Sequence, residues 1–103
     1  MQIIKDLSEM IGEEIADAEK YIRYALKLKT ERPELSKKFY TVSLQEMEHM
    51  KIWHDAVTEI ITAWQKENGD PPMGMQVAYD ILHEQHINNA ATVKALQALY
   101  KDG

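Results

Sequence analysis

Helix breakers fall in only two places along the chain, "TERPEL" around residue 32 and "ENGDPPMG" at residues 67–74, and no other feature limits the fold as much. Between them the composition favours helix, and β-branched residues are scattered rather than alternating. Pro33 suits the first turn of a helix, where its missing N–H would have no partner anyway. Asn68-Gly69, followed by Pro71 and Pro72, is a helix stop. The expected helices cover about residues 3–29, 33–67 and 74–101. Each would span roughly 40–50 Å, and short connections make consecutive helices antiparallel neighbours. The expected fold class is all-α: an antiparallel three-helix chain forming one domain, residues 1–103.

Composition narrows the chemistry. Apolar residues make up 45%, which argues against disorder, and the net charge of −5 is spread along the chain. No basic patch stands out, so neither nucleic acid nor an anionic membrane is an expected partner. Cysteine is absent, which excludes disulfides, Fe–S clusters, thiolate zinc sites and a cysteine nucleophile. Any metal is left to carboxylate and imidazole. The N-terminus "MQIIKDLSEM" has no signal-peptide core and no apolar run reaches spanning length, so the expected location is cytoplasmic. Neither a Gly-rich phosphate loop nor a Ser/His/Asp arrangement is visible.

The apolar stripes are interrupted in an informative way. Leu7, Ile11, Glu14, Ala18, Tyr21, Ala25 and Leu28 share one face of the first helix. Phe39, Val42, Glu46, His49, Trp53, Ala56, Ile60 and Trp64 share one face of the second. The third shows Met75, Ala78, Leu82, His86, Asn89, Val93, Leu96 and Tyr100. Glu14, Glu46 and His49 break the first two stripes at distances from the turn that differ by only a few Å at about 1.5 Å per residue. A buried carboxylate must be paired or neutralised. One reading is a buried polar pair; the other is a divalent cation. Hard oxygen with imidazole nitrogen suits iron or manganese, and zinc also fits. On the third helix the corresponding height falls at Val93 and Leu96, with His86 some 10–15 Å away along the axis by the same rise. One chain therefore holds half a site.

Residues 14–53, "EIADAEKYIRYALKLKTERPELSKKFYTVSLQEMEHMKIW", resemble the first half of the ferritin-like superfamily, nearest its rubrerythrin-type and short encapsulated-ferritin-type members. The matching motifs are a Glu with a Tyr seven residues on, Glu14 and Tyr21, and a Glu-x-x-His, Glu46 and His49. In that superfamily four helices supply two such Glu residues and two such Glu-x-x-His pairs. Residues 74–103 supply neither, so the resemblance implies that two chains dimerise into a ferritin-like four-helix bundle. It implies Glu14, Glu46 and His49 as metal ligands and a catalytic role for Tyr21, as hydrogen-bond or electron donor. The implied activity is ferroxidase-like: two Fe(II) per dimer oxidised by dioxygen or peroxide.

Other residues leave alternatives open. "DILHEQH" places Asp80, His83, Glu84 and His86 together, as a second zinc or iron site or simply as a solvated face. The alternative for His86 and Asn89 is a polar layer that sets register between helices or chains. His54 reads as a flank residue and Glu48 as solvent-facing. Met47, Met50, Trp53 and Trp64 read as core or dimer interface. The competing function is a non-enzymatic helical interaction module with one structural metal or none.

Overall fold

The computed structural model describes residues 2–103. Helix α1 spans Gln2–Leu28, α2 Pro33–Asn68 and α3 Met73–Asp102. Pro33 opens α2, and the Gly69 N–H closes it by donating to the Gln65 carbonyl at 2.8 Å. Gly69 has φ 79°, a left-handed value that glycine adopts without Cβ strain, so the stop signal is a backbone requirement. The molecule is a rod, 56 × 20 × 18 Å. Helices α1 and α2 pack antiparallel along their length, while α3 lies mainly against α1 and meets α2 through individual side chains. Among the described residues no helix is long and apolar enough to cross a membrane.

Small residues set the register of the α1–α2 hairpin. Ala18 and Ala25 on α1 are fully buried, and so are Ser43 and Ser36 opposite them on α2. The Ser43 hydroxyl donates to the Ala18 carbonyl at 2.7 Å, and the Ser36 hydroxyl donates to the Ala25 carbonyl. Both pairs are equally placed about the turn. That register sets Glu14 level with Met47, between Glu46 and His49. The third helix joins the same seam: Gln97 Nε2 donates to Ser43 Oγ at 3.0 Å, and Ser36 Oγ lies 3.0 Å from Tyr100 Oη. Each buried bond contributes about 1 kcal/mol, and losing one partner would cost more.

Two apolar clusters complete the core. One gathers Leu7, Ile11, Ile15, Ala18, Val57, Ala90 and Val93, with Met47, Met50 and Trp53 partly buried against it. The other, near the first turn, joins Ile22, Ala25 and Tyr100. The buried seam of α2 therefore runs through Ser36, Ser43 and Val57, the three buried residues of this helix. It runs beside the sequence stripe, of which Phe39, Trp53, Ala56 and Ile60 pack against the core at its edge while His49 is left exposed. The reason is that α2 is apolar over a wide arc, and small side chains, not large ones, let the helix backbones approach. On α3, Ala90, Val93, Gln97 and Tyr100 are buried while Met75, Ala78 and Asn89 are exposed. The polar residue in this seam is Gln97 rather than Asn89.

Candidate metal centre

Glu14 from α1 and Glu46 and His49 from α2 converge, each offering one ligand atom within 4.8 Å of the others. His49 Nδ1 lies 3.5 Å from Glu14 Oε2 and 4.0 Å from Glu46 Oε2. Two atoms each about 2.1 Å from a common ion stand about 3 Å apart, so these 3.5 and 4.0 Å separations need close by only about 1 Å. The donor set fits a hard divalent cation.

The burial pattern bears on what the trio lacks. The side chains of Glu14 and Glu46 are 22% and 19% exposed, yet that of His49 is 53% exposed. The trio is thus not inside the bundle but at its open side. Glu14 Oε2 is nevertheless buried and has no hydrogen-bond partner. An unpaired buried carboxylate oxygen is costly, and either a proton or a cation relieves it. A proton on Glu46, shared with the neighbouring Glu14, is one such relief. The Glu46 carboxyl is pushed up to about 7 by a hydrogen bond shared with Glu14, then by burial and by the Glu14 charge; His49 opposes this and Asp17 adds to it.

That shift has a sign. Between its ordinary value of 4.5 and about 7, the folded chain keeps a proton that the unfolded chain has released. The metal-free protein is therefore expected to lose stability as pH rises through that window, and to level off above it. Water at the open side limits the effect to on the order of 1 kcal/mol. Urea midpoints measured in chelator at pH values bracketing the window check this; a midpoint that rises with pH would contradict it.

Helical geometry shows what surrounds the trio. Met10, Glu14, Tyr21 and Tyr24 share one side of α1, and Leu35, Val42, Glu46 and His49 the matching side of α2, at 100° per residue. Met10, Tyr24 and Leu35 are 43%, 47% and 42% exposed, large apolar groups left uncovered. Gly12, which faces α3 through His86, is about 200° around α1 from Glu14, so the trio looks away from the third helix. Tyr21 stands seven residues from Glu14, its ring 6.1 Å from Phe39 and under the Lys20 ammonium at 5.0 Å. Glu48 is exposed.

The remaining candidates are rearranged. Asp80 is exposed and accepts a hydrogen bond from Gln76 Nε2 at 2.8 Å, and Glu84 is exposed. His83 instead stacks on His54, with ring centroids 5.4 Å apart, so His54 belongs to a cluster. Spacing along one helix gave no signal for that contact, which joins two helices. The small-residue pairing of Ala18 and Ala25 with Ser43 and Ser36 was available: both run at seven-residue spacing. No family model, no curated protein and no solved structure matches the chain.

Proposed function

We propose that this chain is one half of a ferritin-like di-metal carboxylate centre, completed by a second copy, that binds Fe(II) and oxidises it. The observation that carries the reading is Glu14 Oε2, a buried orphan oxygen beside a second carboxylate and an imidazole. The uncovered apolar side around it supports a partner there, and a two-fold partner would bring the same trio. Together the two copies reproduce the ligand complement of ferritin-like proteins, which the resemblance of residues 14–53 also suggests.

In this reading Glu14 and Glu46 lower the net charge around the iron and so favour Fe(III) over Fe(II). His49 supplies a neutral nitrogen, and its exposure ends when the partner covers it. Glu46 would release its proton on loading and serve as the second carboxylate donor beside Glu14. Tyr21 is the nearby residue on this face for hydrogen bonding to a ligand or donating an electron. Two bound Fe(II) supply the two electrons that, with two protons, reduce dioxygen to hydrogen peroxide. Manganese or zinc would occupy the same donors.

Fe(II) added in air to the wild-type protein tests this. The near-ultraviolet absorbance of Fe(III) is expected to rise faster than in a protein-free control. A protein that binds a cation but leaves the oxidation rate at the control value would instead be a helical interaction module with a structural metal.

A further inference from the structure

On the far side of α1 from the carboxylate trio, α2 and α3 bring three histidines together. The His54 and His83 rings stack at 5.4 Å and 24°, and Tyr79 stacks on His83 at 5.6 Å and 11°. His86, one turn further along α3, reaches across to α1, its Nε2 3.5 Å from the position a Cβ on Gly12 would take. His54, His83, His86 and Ser8 line a cavity of about 10 Å³. That is the size of a single water or ion. The acidic neighbour is Asp55, whose Oδ1 lies 3.8 Å from His54 Nδ1.

We propose that His54, His83 and His86 form a second metal site, for a borderline divalent cation such as Zn²⁺, that ties α3 to α2. A set of three imidazoles, with a hydroxyl or water as the fourth donor, suits Zn²⁺ far better than the hard cations that prefer carboxylate oxygen. Metal ligation needs neutral imidazole. Among the described residues only the carboxylate trio already gathers its ligand atoms within 4.8 Å. Loading would require the stacked histidine rings to turn about their side-chain torsions. The consequence falls on the first half of α3, where Met73, Met75, Val77 and Ile81 are left exposed.

The test uses the full chain carrying Glu46→Ala and His49→Ala, so that the carboxylate centre cannot contribute. Calorimetry in this background is expected to show about one Zn²⁺ per chain, lost when His83→Gln and His86→Gln are added. Unchanged Zn²⁺ stoichiometry after those two substitutions overturns the proposal. Because altered half-buried histidines can loosen α3, the imidazole nitrogen resonances of the background protein give a second reading. Zn²⁺ is expected to shift those of His54, His83 and His86 together; resonances that stay in place overturn it. Neither reading depends on whether iron is oxidised at the other site.

Discussion

Glu46→Ala is expected to weaken Fe(II) binding by more than about 100-fold and to return the oxidation rate to that of protein-free iron. Outer-shell partners of a metal ligand are typically worth about 10–100-fold in affinity, and a direct ligand is worth more. In the proposed dimer symmetry doubles the effect, since one substitution removes both copies of this carboxylate. The fold should survive. Glu46 sits at the open side, its side chain 19% exposed, and its removal leaves the buried Ser36 and Ser43 hydrogen bonds of the hairpin in place. Glu46→Gln separates charge from shape, because it keeps the volume and one oxygen but cannot lower the charge around iron. It is expected to retain weak binding and little oxidation. Anaerobic Fe(II) titration with aerobic stopped-flow absorbance on the same samples measures both. Wild-type rates in Glu46→Ala would remove the trio from the chemistry.

Val42→Glu is expected to leave a folded monomer that binds iron poorly although all three ligands are intact. Val42 is half-buried, on the same face of α2 as Glu46 and His49. In a monomer its new carboxylate reaches water. In the proposed dimer two such carboxylates are buried near an axis already carrying four, a cost of several kcal/mol. About 4 kcal/mol corresponds to on the order of 1,000-fold in the dimer Kd. Ile81→Glu is the matched control: Ile81 is an exposed apolar residue, 55%, on α3, away from the trio. Sedimentation equilibrium on both variants reads the difference. A Val42→Glu protein with wild-type mass and iron affinity would mean that some other surface pairs the chains.

The helices were legible because their punctuation is local. Pro33, Asn68-Gly69 and the two following prolines fix chain direction through backbone chemistry alone, and the observed helix ends lie within a residue or so of those expected. The trio was legible because one short turn and a constant helical rise make height along the hairpin calculable. The phase of α2 was harder to read. Apolar side chains cover so much of its circumference that the buried seam is decided by where Ser36 and Ser43 let α1 approach. The part of the stripe at Glu46 and His49 accordingly lies at the open side of the hairpin, which makes the trio half-buried rather than enclosed. The pairing of His54 with His83 depends on how α3 settles against α1, and no periodicity within one helix reports that.

The most direct measurement is anomalous diffraction from crystals of Fe(II)-loaded protein grown without oxygen. Two iron peaks lying between two symmetry-related chains, each within bonding distance of Glu14, Glu46 and His49 side chains, is the predicted result. Iron bound elsewhere, or held by one chain with its trio turned to solvent, would contradict the shared centre.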